Sequence, residues 1–170
     1  ASILTMQIEW KNIEKENYLT LDKWLSKEDK FNLCMERKSW EQTANDINEC
    51  LKYMNGSQFK NIMGYINNHP VVALMFGIEH IDALNLYCIA VNPKFRGMGI
   101  AKDVIDQLLT KDKSLKLSQP FNRVILSVKP QNTSMIKLLK KLNFTYNEFD
   151  GEYHKFYKNC SKIKENNIEK

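Results

Sequence analysis

The residues Val91-Asn92-Pro93-Lys94-Phe95-Arg96-Gly97-Met98-Gly99-Ile100-Ala101 carry the strongest chemical signal in this 170-residue chain. They run from the end of an apolar, β-branched stretch, through a turn with two glycines, into a segment with helical periodicity. Such a turn leaves backbone N–H groups unpaired at a helix N-terminus, where the helix dipole also favours negative charge. Phosphate or pyrophosphate is the natural guest. Glycine lets the backbone approach it without a Cβ in the way, and Arg96 and Lys102 add cationic neighbours. The run lacks the G-x-x-x-x-G-K-[ST] of a triphosphate loop and the third glycine of a dinucleotide fingerprint. An ordinary strand-to-helix turn has similar letters, so the surrounding elements decide.

Those elements are legible on both sides. Residues 1–10 are expected to supply a first strand, with Met6 as an alternative natural start. Residues 13–54 contain no glycine or proline and keep apolar residues at helical spacing, which predicts two or three helices ended by Asn55-Gly56-Ser57. The period then changes. Phe59 to Ile66, Val71 to Ile78 and Leu84 to Val91 read as three successive antiparallel strands, separated by Asn67-Asn68-His69-Pro70 and by His80-Ile81-Asp82. Gly99 to Leu109 is helical, with Ile100, Val104, Ile105, Leu108 and Leu109 on one face. A polar loop, Thr110 to Asn122, leads to the interior strand Val124 to Val128. Asn132 to Asn143 is a helix with Met135, Ile136, Leu139 and Leu142 inward. Phe144 to Tyr157 is a hairpin about Asp150-Gly151. This predicts one domain over residues 1–158 and a polar tail over 159–170.

Composition narrows the class. Hydrophobic residues are 43% and charged residues 26%, values of a globular chain that exclude an intrinsically disordered one. No stretch approaches the roughly 18 apolar residues of a membrane helix, and no secretory leader is read at the N-terminus; a cytoplasmic protein is expected. Cys34, Cys50, Cys88 and Cys160 are scattered, as are His69, His80 and His154. Neither a metal site nor a disulfide framework is expected. The net charge of +5 suits an anionic ligand. Its basic residues are spread along the chain rather than clustered with aromatics, which argues against a nucleic-acid partner. A homodimer is left open.

The ordered motifs resemble the GNAT superfamily, the acyl-CoA-dependent N-acyltransferases. Val91 to Ala101 fits that family's V-x-P-x-[FY] approach and its R/Q-x-x-G-x-G/A signature, and Asn132 to Phe144 (NTSMIKLLKKLNF) reproduces the Asn, the leucine and the closing Phe of its later helix. The resemblance covers Phe59 to Tyr157. It implies an α/β (α+β) fold: a mixed, mostly antiparallel sheet of six or seven strands flanked by helices, with a splayed strand pair holding acetyl-CoA. It further implies that the backbone of Ile89, Ala90 and Val91 pairs with the pantetheine arm like an added strand. Arg96, Gly97, Met98, Gly99, Ile100 and Ala101 would hold the pyrophosphate, and Asn132 would touch the pantetheine. Asn132 also suits an N-cap, and the two roles are compatible. The activity implied is transfer of an acetyl group from acetyl-CoA to a primary amine of a small molecule or protein.

Two side chains of the family pattern are absent. The usual Glu falls on Asn85, and the usual Tyr on Leu139. Water held by Asn85, with Glu79, His80 or Asp82 near it, is one substitute for the base; Tyr146 or Tyr153 is the candidate proton donor. Positioning alone is another route. The same gaps suggest an alternative, a catalytically impaired CoA-binding module that senses or scaffolds. For the acceptor, Asp22, Glu28, Asp29, Glu36 and Glu41 could draw a cationic amine, and Trp24, Trp40, Tyr153 and Phe156 could wall a pocket.

Overall fold

Stretches rich in β-branched and aromatic residues form the strands, because such side chains pack well on a pleated surface. The computed structural model describes residues 8–33, 39–54, 58–79 and 83–161. In chain order its elements are β1 (Glu9–Asn12), α1 (Asn17–Trp24), α2 (Lys27–Asn32), α3 (Trp40–Leu51), β2 (Gln58–Ile66), β3 (His69–Glu79), β4 (Ala83–Val91), α4 (Ile100–Leu109), β5 (Arg123–Val128), α5 (Thr133–Lys141), β6 (Thr145–Phe149) and β7 (His154–Asn159). The strands make one seven-stranded sheet in the order β1-β2-β3-β4-β5-β7-β6. Among the described residues only the β4–β5 pair is parallel. This is the mixed, mostly antiparallel sheet expected.

Several boundaries differ from the sequence reading, among them those of the first strand and of the turn between β2 and β3. The first strand is Glu9–Asn12, paired with Met63 and its neighbours on β2, so it starts later than residues 1–10 suggested; residues 1–7 lie outside the described residues. The separator between β2 and β3 shrinks to Asn67-Asn68. Both have positive φ (48° and 64°), the conformation of a two-residue hairpin turn that asparagine tolerates, which frees His69 and Pro70 to enter β3.

β3 lies inside the sheet and is covered on both faces, which explains its unbroken apolar run: Val71 through Phe76 are all fully buried. On one face Leu74, Phe76, Leu84, Val124 and Leu126 pack with Val104, Leu108 and Leu139 of α4 and α5. On the other, Met63, Ala73, Met75, Cys88 and Ala90 pack with Leu21, Trp24, Trp40 and Ala44 of α1 and α3. Burial of each large apolar side chain contributes about 1.5–3 kcal/mol.

Polar contacts fix where the N-terminal helices sit. Ser39 and Gln42 form a reciprocal cap at the start of α3. Asn61 on β2 accepts from Trp40 Nε1 at 2.7 Å and donates to Tyr18 Oη at 3.1 Å, tying α1 and α3 to one point of the sheet. The loop after α4 is less polar in practice than in sequence, since Leu115 and Phe121 are buried. The hairpin forms as expected: Asp150 Oδ1 accepts from the N–H groups of Tyr153 and Glu152, bonds that hold its carboxyl below the usual carboxylate range. β7 runs through Asn159. Cys160 and Ser161 then donate to the carbonyls of Asn122 and Leu109, while residues 162–170 of the expected tail lie outside the described residues. Among the described residues no helix is long and apolar enough to cross a membrane.

Candidate active site

β4 and β5 begin side by side and then separate. They pair at Ala83↔Arg123, Leu84↔Val124 and Asn85↔Ile125 and no further, although β5 continues its ladder with β7 to Val128↔His154. The cause is on the other edge of β4. There Met75 pairs with Cys88 but Phe76 pairs with Leu86, so Tyr87 is an extra residue with no partner. A bulge of this kind bends its strand and increases the local twist. Beyond it, β4 follows β3 and leaves β5. The β5-facing edge of Leu86 to Val91 is thereby left without a ladder from β5, open to an extended guest.

The end of β4 is fixed by Asn92, whose side chain donates to Pro70 O and accepts from Lys94 N. After a short 3-10 turn at Pro93–Phe95, Gly97 and Gly99 both take φ of 79°. Gly99 is the N-cap of α4 and has no side chain to cap it, and its carbonyl accepts from Asp103 N at 3.0 Å. The N–H groups of the first turn therefore point out with the positive end of the helix dipole. An ideal Cβ on either glycine would meet nothing within 4 Å, so the space before the helix is open.

These features converge on a cleft of about 400 Å³. All the residues assigned to the donor by the sequence line it except Met98: Ile89, Ala90, Val91, Arg96, Gly97, Gly99, Ile100, Ala101 and Asn132. Met98 is 53% exposed and stands outside. Lys102 also lines the cleft, exposed. Arg96 borders the cleft and is held in place by the N-terminal helices. Its Nε donates to Val91 O at 3.1 Å, and one terminal nitrogen donates to Trp24 O at 3.1 Å and meets Asp29 Oδ2 at 3.4 Å, so it clamps α1 and α2 to the strand end. Asn132 caps α5, its side chain accepting from Met135 N at 3.3 Å, and the residue also borders the cleft.

Between Leu86 to Ile89 and Leu126 to Val128 lies a gap of about 30 Å³, which shares lining residues with the cleft and with an inner cavity of about 170 Å³. Leu33 borders all three spaces. The inner cavity brings together Asn85, Tyr87, Ser127 and Tyr153, with Thr43 and Ile47 from α3. Two sequence candidates therefore meet here, Asn85 and Tyr153. Glu79, at the end of β3, does not line the cavity; its Oε1 accepts a hydrogen bond from the Tyr87 hydroxyl. Tyr146 lies apart from them. It pairs with Phe156, which pairs with Leu126, so it shares the face covered by α4 and α5, while Asn85 and Ile125 point to the other. Half exposed, its hydroxyl lies 3.1 Å from His154 Nδ1.

The acceptor candidates are dispersed. Trp24 and Trp40 are buried in the core under α1 and α3, and Phe156 in the opposite core. Asp22 faces Lys30 at 3.7 Å and Asp29 faces Arg96. Glu28 and Glu41 line none of the three spaces, and His80, Asp82 and Glu36 lie outside the described residues. Among the described residues no group of His, Cys, Asp and Glu is arranged to hold a metal ion. Tyr87 and Ser127 were missed. Both read as ordinary strand residues, and only the tertiary pairing brings them to the gap. Leu139 is fully buried, and its neighbour Leu138 lines the cleft instead.

The same architecture occurs in solved structures. The N-acetyltransferase PseH of Campylobacter jejuni is 18% identical with a TM-score of 0.60, over 91% of this chain and 99% of that one. Spermidine N-acetyltransferase of Vibrio cholerae, crystallised with CoA and spermine, is 15% identical with a TM-score of 0.63, over 92% and 98%. An acetyltransferase of Thermus thermophilus is 13% identical with a TM-score of 0.66, over 92% and 99%. At these identities the likeness is one of fold. No curated protein matches the chain in sequence. The family's own sequence pattern, however, extends over residues 12–144, from the first strand to the end of the last helix, and the chain belongs to the acetyltransferase (GNAT) family.

Proposed function

We propose that this protein transfers an acetyl group from acetyl-CoA to a primary amine of a small molecule or protein. The observation that carries the reading is the parting of β4 from β5 after Asn85↔Ile125, directly upstream of the uncapped N-terminus of α4. The free N–H groups after Gly99 would take the pyrophosphate, and Lys102 would add its charge. The pantetheine would lie along the open edge of Ile89, Ala90 and Val91, past Asn132, and its length would carry the thioester through the gap to Asn85 and Tyr153. A lysine-like amine must first lose a proton, which at pH 7 costs roughly 4.6 kcal/mol. The reading places the enzyme in a reducing, cytoplasmic setting, in which exposed thiols such as Cys50 stay reduced.

One specific observation favours a second reading, a CoA-binding module without turnover. Asn85 cannot take a proton, and Leu139 is sealed in the core. A single experiment separates them. Acetyl-CoA is expected to raise Tm where acetate and NAD do not. A panel of alkyl diamines, spermidine, amino sugars and peptides with free N-termini is then expected to release CoA thiol. The absence of a shift at millimolar acetyl-CoA overturns both readings, and a shift without CoA release from any amine favours the second.

A further inference from the structure

The bulge that opens the cleft also sends one side chain across the sheet. Tyr87 lines both the gap and the inner cavity, and its hydroxyl donates to Glu79 Oε1. Gly77 makes this path possible: a Cβ there would stand 3.0 Å from Tyr87 Cε2 and 3.1 Å from its hydroxyl oxygen. Glu79 is only half-buried, so a proton that reaches it has a route to water. We propose that Tyr87 and Glu79 form a proton relay that neutralises the acceptor amine in the inner cavity, an inference that rests on the acetyl transfer proposed above.

The steps balance. An ammonium N–H proton passes to the Tyr87 oxygen as Tyr87's own proton passes to Glu79, which becomes the neutral acid and then gives that proton to water. The amine lone pair attacks the thioester carbonyl, the C–S bond breaks with its electron pair on sulfur, and the second N–H proton ends on that sulfur as free CoA thiol. The net products are the amide, CoA and one proton. Burial, then the hydrogen bond to Glu79 and its charge, push the Tyr87 phenol well above its ordinary value, so it stays protonated and hands protons on. Cys50 of α3 adds to that shift, and the Tyr153 side of the hairpin borders the same cavity. Asn85, beside Tyr87, can orient the amine but cannot replace the carboxylate.

The test uses the full chain, acetyl-CoA and the best acceptor of the amine panel. Tyr87→Phe and Glu79→Gln are each expected to lower kcat at pH 7 by about 10²-fold or more, with KM for acetyl-CoA within about twofold. The deficit should shrink as pH rises, because the amine then loses its proton without help. Glu79→Gln keeps an oxygen that accepts from the phenol, so it judges the relay even where Tyr87→Phe fails to fold. A Glu79→Gln enzyme with the wild-type rate, or with a deficit equal at every pH, overturns the relay and leaves acetyl transfer standing. A wild-type protein that binds acetyl-CoA but turns over no amine overturns the proposed function and the relay with it.

Discussion

Gly99 matters twice over, and its φ of 79° separates the two effects. Open space in front of it invites a phosphate, but the left-handed backbone also penalises any side chain, so a Gly99→Val variant would confound lost binding with lost stability. Gly151 provides the control. It has φ of 99°, equally open surroundings and a place in the β6–β7 turn, away from the cleft. Gly99→Ala and Gly151→Ala are both expected to cost about 1–2 kcal/mol of stability. Only Gly99→Ala should weaken acetyl-CoA, by about tenfold or more in Kd, a loss of roughly 1.4 kcal/mol. Equal affinities by calorimetry would show that the turn does not approach the donor.

At the scale of elements, α5 shows how one helical step changes a role. Met135 and Leu138 border the cleft, whereas Leu139 turns into the core with Val104 and Leu126. A phenol at position 139 would have to enter packed space. Leu139→Tyr is therefore expected to destabilise by about 1–3 kcal/mol through overpacking, seen as a Tm lower by several degrees, and not to raise kcat. A Leu139→Tyr protein with unchanged Tm and faster turnover would mean that α5 moves enough to present the new hydroxyl to the gap. The β4 bulge is the complementary case: one residue left out of the ladder, Tyr87, redirects a whole strand end and so opens the cleft.

For the molecule as a whole, three tyrosines packed against the core between the sheet and α1 and α3 couple stability to alkaline pH. Burial raises the phenols of Tyr18, Tyr65 and Tyr87; hydrogen bonds from Asn61 and Asn17 oppose the shift in the first two, while Glu79 reinforces it in the third. The folded state thus holds protons that the unfolded state releases near pH 10. Their contribution is fully present below that pH and is lost as pH rises through the folded values, so stability should fall above about pH 10. In Tyr87→Phe the alkaline fall in Tm is expected to be shallower than in wild type. Superimposable curves would show that burial of this phenol is not coupled to folding.

Much of this was legible before any coordinates. Apolar periodicity located the strands and helices, since the 2.0 and 3.6 repeats are local properties of the chain, and the glycine turn marked the start of α4, where the first N–H groups have no partner within the helix. What the sequence left undecided depends on partners distant in the chain. Whether Arg96 would reach a phosphate or clamp Trp24 and Asp29 depended on where α1 and α2 pack. Tyr146 and Tyr153 have equal credentials in sequence, but pairing across β5, β7 and β6 puts Tyr146 on the far face, while Tyr153 comes to border the inner cavity. The bulge at Tyr87 has no letter of its own. It arises from the offset between Met75↔Cys88 and Phe76↔Leu86, and register of this kind is set by neighbouring strands and by burial on two faces, not by the local run of residues.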